Sequence, residues 1–213
     1  KYKYIDRIKV SMPTYHLEKG KYVHDVLEHL RLGGTVDATK YDLTPEQVAE
    51  IDVIIANFVK SEFAQTFLYP KTETVYTEIK FGIDTKLEVS DYDYRDKNLL
   101  YLGAVDQVNF YSDSLHIIDW KTGKVRNYTE QLRHYAMWAL TQFPNVERVV
   151  TSYVFIEHNQ SIDVIVTRDE LKNIHFELLS NIQTIEQDTQ WHKKETPLCD
   201  YCEYGPNYKN HCE

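Results

Sequence analysis

The sequence predicts an α/β fold in which a mixed β-sheet is flanked by helices. Helical and strand patterns alternate along the 213 residues: helices first, then a run of strands, a helix, two strands and a last helix. Hydrophobic residues make up 42% of the chain, with only 7 glycines and 6 prolines, which is typical of a folded globular protein. Because no internal repeat or low-complexity linker divides the chain, we expect one domain spanning residues 1–213.

Two helices are predicted before the first strand. From Gly20 to Leu32 the apolar residues recur at roughly helical spacing. A second helix is predicted from Pro45 to about Gln65, with Thr44 as its N-cap and Gln47 closing a capping box.

The strands follow, and two further helices are interleaved with them. The segments patterned as strands are Thr74–Phe81, Asp84–Val89, Leu99–Tyr111, Leu115–Trp120, Arg148–His158 and Ser161–Thr167. Asn127–Glu130 resembles a capping box for a helix from Tyr128 to about Gln142. Thr167–Glu170 is predicted to cap a last helix that ends near Asp188.

The charge of the chain limits the classes of partner. A net charge of −9 argues against a protein that coats nucleic acid non-specifically, but a local site can still bind DNA. Apolar runs such as Val53–Ala56 are far shorter than the roughly 20 residues of a membrane span, so no membrane partner is expected. No signal peptide is visible, and we therefore expect a cytoplasmic, intracellular protein.

Two acidic residues lie within or at the end of apolar strands that a short turn joins. They are Asp106 and Asp119. A buried carboxylate without a partner is costly, and two that converge would repel each other. A divalent cation between them would offset this repulsion, and oxygen ligation with open positions suits Mg²⁺ or Mn²⁺.

Lys121 follows Asp119 by two residues, so on a strand both side chains lie on the same face. A carboxylate, an ammonium group and a metal ion together can hydrolyse a phosphodiester bond, because the metal activates water and the lysine stabilises the charged transition state. Taken alone, the same spacing favours a simple ion pair at the end of a strand, and only the surrounding motifs favour a catalytic site.

Five short motifs follow one another and together cover most of the chain: Gly20–His24, Glu78–Phe81, Gly103–Asp106, Asp119–Lys121 and Gln131–Tyr135. In this order they resemble the motifs of the RecB-like exonuclease branch of the PD-(D/E)XK nuclease superfamily. The resemblance implies a restriction-endonuclease-like core. It also implies a Mg²⁺- or Mn²⁺-dependent deoxyribonuclease, an exonuclease acting in recombination, repair or phage DNA processing.

The resemblance also implies roles for individual residues. The metal ligands would be His24, Asp106, Asp119 and the carbonyl oxygen of Trp120. The catalytic residues would be Asp106, Asp119, Lys121, Gln131 and Tyr135, with Gln131 and Tyr135 facing the scissile strand. Glu78 matches a strand glutamate whose role we expect to be more structural than catalytic.

The implied partner is DNA, as single strands or ends. Lys124, Arg126 and Arg133 lie near the Asp119–Lys121 strand and could hold DNA phosphates, or they could simply be solvated. Stand-alone relatives in this branch resemble phage exonucleases and CRISPR-adaptation nucleases, so the chain could be phage-encoded. A homo-oligomer, or a complex with recombination or adaptation proteins, is an alternative assembly.

A tail spanning residues 191–213 carries all three cysteines: Cys199, Cys202 and Cys212. The spacing resembles the cluster of AddB-type nuclease domains, where one further N-terminal cysteine completes a four-iron, four-sulfur site; here that cysteine lies upstream of Lys1 or is absent. Zinc, with His211 as a fourth ligand, is the alternative, and cysteines without a metal are another. With either metal, the tail would be pinned structurally to the N-terminal region.

Two other functions remain compatible with the sequence. One is a catalytically silent DNA-binding or assembly module of the same fold. The other is an RNA-directed nuclease of that fold.

Overall fold

The computed structural model describes residues 14–72 and 74–192, together with Cys199, Cys202 and Tyr204. Within these residues the helices are α1 (Tyr15–Leu32), α2 (Pro45–Val59), α3 (Glu62–Phe67), α4 (Glu130–Gln142) and α5 (Leu171–Gln187). The strands are β1 (Thr74–Asp84), β2 (Val89–Ser90), β3 (Leu99–Phe110), β4 (Ser114–Lys121), β5 (Arg148–Phe155) and β6 (Gln160–Thr167). Short 3₁₀ turns lie at Ala38–Lys40 and Arg168–Glu170.

The described strands form one sheet in the order β2-β1-β3-β4-β5-β6. The β4–β5 pair is parallel, and the other neighbouring pairs are antiparallel. Two parallel strands need a crossover connection, and α4 supplies it between β4 and β5. The predicted mixed sheet flanked by helices is therefore confirmed.

Helices cover both faces of the sheet, and each face has its own apolar core. The core beneath α4 and α5 includes Phe81, Val105, Leu132, Trp138 and Ile174. The core beneath α1, α2 and α3 includes Leu27, Ile51, Phe58, Trp120 and Val154. Because side chains alternate along a strand, β4 supplies Ile117 to the first core and Ile118 to the second.

The first two helices differ from their predicted bounds. α1 begins at Tyr15, five residues before the predicted start at Gly20. The second predicted helix is broken, because Ser61 accepts a hydrogen bond from the amide of Ala64 at 3.3 Å and begins α3 as its N-cap. The spacing of the apolar residues does not reveal this break, because it continues across the Ser61 N-cap.

The capping box that begins α2 is confirmed. The Thr44 hydroxyl accepts from the Gln47 amide at 3.3 Å, and the Gln47 side chain accepts from the Thr44 amide at 2.8 Å. We expect Thr44→Ala to lower the free energy of unfolding by about 1 kcal/mol, because one amide of the first turn loses its acceptor. Urea denaturation would measure the loss. Thr44→Ser keeps the hydroxyl and should stay near wild type; an equal loss in both variants would contradict the role of the cap.

Two turns also differ from the sequence prediction. Asp84 ends β1 and does not begin the next strand, because its carboxylate accepts hydrogen bonds from the amides of Lys86 and Glu88 in the turn. The predicted capping box at Asn127–Glu130 is wrong: α4 begins at Glu130, and Thr129 makes no side-chain cap.

The cap of the last helix is confirmed, since Thr167 and Glu170 form a capping box at the 3₁₀ turn before α5. None of the helices in the described residues has the length and apolar character needed to cross a membrane. The predicted contact between the 191–213 tail and the N-terminal region lies outside the described residues, and one domain over 1–213 stays a prediction.

Candidate active site

The site lies where β3 and β4 stop pairing. The paired register of the two strands runs from Phe110 opposite Leu115 to Gln107 opposite Ile118. The next positions along the strands are Asp106 and Asp119. Here the Asp106 carboxylate, and not its backbone, bridges to β4: it accepts a hydrogen bond from the Trp120 amide at 2.7 Å. The two predicted acids thus lie at the opening between separating strands.

Helix α1 brings His24 to this opening. One ring nitrogen, Nδ1, lies 3.2 Å from an Asp106 carboxylate oxygen, and the other, Nε2, lies 2.9 Å from the Trp120 carbonyl oxygen. Glu28, one turn further along α1, does not pair with the histidine but accepts a hydrogen bond from the Thr77 hydroxyl. The structure therefore brings together three of the four predicted metal ligands.

His24 is strongly held in its protonated form when no metal is present. Burial disfavours the charged ring, but the hydrogen bond and charge of Asp106, aided by Asp119, outweigh burial and raise the pKa of His24 to about 9. A ring nitrogen that bound a metal ion would first have to lose this proton.

Glu78 joins the group from β1, although its expected role was mainly structural. Thr77 and Ile79 pair with Gln107 and Val105, so Glu78 lies across from Asp106. Its backbone has φ of 51°, a left-handed conformation that is uncommon for a residue with a Cβ atom. Burial, and then the charge of Asp106, raise the pKa of the Glu78 carboxyl group.

The donor atoms of three residues fit a divalent cation. One donor atom each from His24, Glu78 and Asp106 lie within 4.8 Å of one another. A nitrogen and carboxylate oxygens at such spacing suit an ion that keeps open positions for water or substrate. Asp119 is outside this group, and both of its carboxylate oxygens have protein partners.

Asp119 is held by the residues that the sequence predicted to act with it. The Lys121 ammonium lies 2.7 Å from one carboxylate oxygen, and the Tyr135 hydroxyl donates to the other at 3.2 Å. The Asp119 residue is only 4% exposed. Burial and the charge of Asp106 raise the pKa of Asp119 to about 6, although Lys121 and His24 act against this rise.

A chain of hydrogen bonds extends from Asp119 across α4 to β5. The Gln131 side-chain amide donates to the Tyr135 hydroxyl at 2.6 Å, and the Tyr153 hydroxyl donates to the Gln131 carbonyl oxygen at 2.7 Å. The Lys121 ammonium also lies 4.5 Å from the centre of the Tyr153 ring. The sequence missed Tyr153, whose place follows from the β4–β5 register that sets it beside Asp119.

Two motif residues support the site by packing. Phe81 and Gly103 face each other across β1 and β3, and the Phe81 ring lies over Gly103. The ring also stacks on Trp138 of α4, with 4.6 Å between ring centres, and contacts Tyr135 edge to face. Gly103 therefore leaves room for a ring that holds α4, and with it Tyr135, against the sheet.

A family model of the PD-(D/E)XK nuclease superfamily matches residues 1–206. The chain belongs to this superfamily. The restriction-endonuclease-like core that the motifs implied agrees with this membership. No curated protein matches the chain.

Two solved structures resemble this superfamily member weakly. One is a candidate exonuclease from Eubacterium rectale, 12% identical, with a TM-score of 0.49 over 94% of this chain and 83% of that one. The other is described as SSO0001, also 12% identical, with a TM-score of 0.32 over 86% of this chain and 93% of that one. Neither similarity bears on the substrate of this nuclease-family chain.

The three basic residues predicted to contact DNA differ in their surroundings: two are exposed on a loop, and one is ion-paired on a helix. Lys124 and Arg126 are exposed on the loop of residues 122–129, which leads from Lys121 to α4. Arg133 pairs with Glu177 of α5 at 2.9 Å. Because Arg133 lies two residues from Gln131 on α4, it faces away from the residues that contact Asp119.

The candidate metal group of this superfamily member borders a cavity of about 480 Å³. Its lining includes His24, Glu78, Lys21 and Tyr41. A larger cavity of about 670 Å³ lies between β1 and α4, and none of the candidate ligands or catalytic residues lines it. The chemistry of the donor groups, and not cavity size, therefore locates the site.

In the tail, the structure describes two of the three cysteines. The Cys202 amide donates to the Cys199 carbonyl oxygen at 3.2 Å, so a tight turn brings the two residues close together. Cys212 and His211 lie outside the described residues.

Proposed function

We propose that this superfamily member is a metal-dependent deoxyribonuclease of the RecB-like branch that cuts DNA with Mg²⁺ or Mn²⁺, working from ends. One observation carries the proposal. The His24, Glu78 and Asp106 donors converge within 4.8 Å at the strand opening where Lys121 and Asp119 form a 2.7 Å pair. A cation site beside a positioned ammonium group is the equipment for hydrolysing a phosphodiester bond.

The chain fits a divalent ion with His24, Glu78 and Asp106 as ligands, and Asp119 and the Trp120 carbonyl are candidates for completing the set. When bound, such an ion would lower the pKa of a water molecule and offset the charge of the scissile phosphate. Glu78 is thus a candidate ligand in addition to the four that the motifs implied, and Asp119 also holds Lys121.

Lys121 acts on the reacting groups. Asp119 and the Tyr153 ring fix its ammonium group from two sides, at 2.7 Å and 4.5 Å. A lysine fixed in this way can orient the attacking water and stabilise the charge that builds on the phosphate. Gln131 is exposed at the edge of the site, where its side-chain amide can also donate a hydrogen bond to the scissile strand. Tyr135 is buried and its hydroxyl donates to Asp119, so it acts by holding Gln131 and Asp119 in place.

A cleavage assay with matched substrates tests the proposal. We expect labelled linear DNA to be degraded when Mg²⁺ or Mn²⁺ is present and to survive in EDTA, and Asp119→Ala to abolish cleavage. Asp113→Ala is the matched control, because Asp113 is exposed in the turn at the other end of the β3–β4 hairpin.

Other outcomes of the assay would contradict parts of the proposal. If an Asp119→Ala protein still degraded DNA, the active site would have to lie elsewhere in the chain. Faster cleavage of matched RNA would make the substrate RNA, and equal cleavage of linear and circular single strands would remove the requirement for ends. Binding of DNA without cleavage by the wild type would indicate a silent module.

The pKa of His24 predicts how metal binding depends on pH. Because the metal-free ring is protonated below about pH 9 and only a neutral nitrogen binds the ion, each bound ion releases a proton. We expect the affinity for Mn²⁺ to rise about tenfold per pH unit between pH 6.5 and 8.5. Calorimetry in buffers of different ionisation enthalpy would count the proton. His24→Gln should bind weakly with little change over this range; an unchanged slope in that variant would exclude His24 as the titrating ligand.

For the tail we propose a structural metal site, with a four-iron, four-sulfur cluster favoured over zinc. The turn that brings Cys199 and Cys202 together supports a shared ion. Metal analysis and visible absorbance of anaerobically purified protein would decide between brown, iron-containing protein and colourless, zinc-containing protein. A sample with neither metal would remove the proposal. Because DNA is the proposed substrate, we also propose that the enzyme works in the cytoplasm. It would act there as a monomer, as a homo-oligomer, or in a complex with recombination or adaptation proteins.

A further inference from the structure

The loop of residues 122–129 connects two parts of the candidate site. It begins directly after Lys121 and ends at α4, whose second residue is Gln131. Three residues of chain span at most about 10 Å, so Lys124 stays close to Lys121 and Tyr128 stays close to Gln131. A DNA strand bound at the site therefore passes beside this loop.

The charge of the loop differs from that of the protein. The chain has 33 acidic and 24 basic residues, but positions 122–129 contain Lys124, Arg126 and no acid. Among the described residues, neither cation has an ion-pair partner. The first acid after the loop, Glu130, accepts a hydrogen bond from Asn181 of α5 at 2.9 Å, so its carboxylate is engaged away from the loop. The loop thus presents local positive charge beside the candidate active site.

An aromatic ring lies in this positive loop. Tyr128 is 61% exposed, and within the described part of the chain its side chain has no hydrogen bond and no ring contact. The comparison with Tyr94 is informative: that residue is 72% exposed, but the Arg95 guanidinium donates to its hydroxyl and lies 5.3 Å from its ring centre. Tyr128 has no such partner among the described residues, and two cations precede it in the loop.

We propose that Tyr128 stacks on an unpaired base next to the scissile phosphate, while Lys124 and Arg126 contact neighbouring phosphates of the same strand. The inference rests on the proposed nuclease function and adds a positioning residue to it. An exposed ring beside cations is how proteins bind single strands without reading sequence, because every base has a face to stack and every nucleotide a phosphate. Base pairs inside a duplex keep their faces covered, so Tyr128 favours an unpaired strand.

The stacking is tested by measuring how tightly the protein binds two labelled single strands. One is a strand of 15 thymidine nucleotides, and the other is the same strand with abasic sites. Measured by fluorescence anisotropy in EDTA, Tyr128→Ala should weaken binding of the thymidine strand about tenfold and binding of the abasic strand less than twofold. Tyr128→Phe should match the wild type. Tyr128→Trp should bind the thymidine strand well. Its tryptophan fluorescence should be quenched more than that of the wild type by the thymidine strand, and no more than that of the wild type by the abasic strand.

Control variants separate stacking from charge and from general effects. Tyr94→Ala, which removes an even more exposed ring elsewhere, should leave binding of both strands unchanged. Lys124→Gln and Arg126→Gln should weaken binding of both strands equally, and each should reduce the slope of log K against log salt by about 0.7.

Several results would overturn the stacking inference without deciding whether the protein is a nuclease. If Tyr128→Ala binds the thymidine strand like the wild type, or loses affinity equally for both strands, the ring does not stack, whether or not the protein cleaves DNA with metal. A wild-type protein that fails to bind the thymidine strand also overturns the inference. The nuclease assignment is decided independently, by cation-dependent cleavage and by Asp119→Ala.

Discussion

A Lys121→Met protein is expected to cleave DNA about 100- to 1,000-fold more slowly than the wild type while it binds Mn²⁺ with unchanged affinity. The ammonium group is not one of the converging donors; it pairs with Asp119 at 2.7 Å. Methionine keeps the length of the side chain and can still pack on the Tyr153 ring, so the fold should persist. What disappears is the positive charge at the reacting phosphate.

The same substitution should change the pH dependence of the residual cleavage. Burial and Asp106 raise the pKa of Asp119 to about 6, and Lys121 opposes this rise. Without the ammonium group the pKa of Asp119 rises further, so more of the carboxyl group is protonated near neutral pH. We expect the acid limb of the pH–rate profile to move to higher pH.

Lys172→Gln is the control, because Lys172 is exposed on α5 and none of the candidate ligands or catalytic residues lies on that helix. Single-turnover cleavage rates and Mn²⁺ titrations on the three proteins would measure both effects. A Lys121→Met protein that kept more than a tenth of the wild-type rate would show that the ammonium group is not part of the chemistry. A loss of Mn²⁺ affinity to match the loss in rate would show that Lys121 acts mainly by holding the ligands.

The part of the site that the sequence could predict is the part fixed by local geometry. Asp106 and Asp119 come together because a three-residue turn, 111–113, joins β3 and β4 and leaves little freedom in the register. Lys121 meets Asp119 because residues two apart share a strand face. Both statements need only the period of a strand.

The remaining site residues depend on tertiary packing. His24 reaches Trp120 across 96 positions of sequence, and only the family motifs indicated that contact. Glu78 enters the metal group through a left-handed backbone conformation in the middle of β1, which residue propensities do not signal. Tyr153 lies beside Asp119 because the α4 crossover sets the parallel register of β5, a long-range consequence that no local pattern contains.

Gly103→Ala is expected to lower the free energy of unfolding by about 1–3 kcal/mol, a large effect for one methyl group. A Cβ atom at Gly103 would lie 2.3 Å from the tip of the Phe81 ring and 2.7 and 2.9 Å from its two ε carbons. The ring cannot simply turn away, because Trp138 stacks on it at 4.6 Å and the side chain is 2% exposed. Either the ring or strand β3 has to shift.

Such a shift should also slow cleavage, because Phe81 contacts Tyr135, whose hydroxyl donates to Asp119. Gly123→Ala is the matched control: nothing lies within 4 Å of its added Cβ atom, so its stability should stay within about 0.5 kcal/mol of wild type. A double-mutant cycle with Phe81→Leu locates the cause, since a smaller side chain relieves the overlap and the two losses should not add. If the losses do add, the cost of Gly103→Ala arises from the backbone and not from the Phe81 ring.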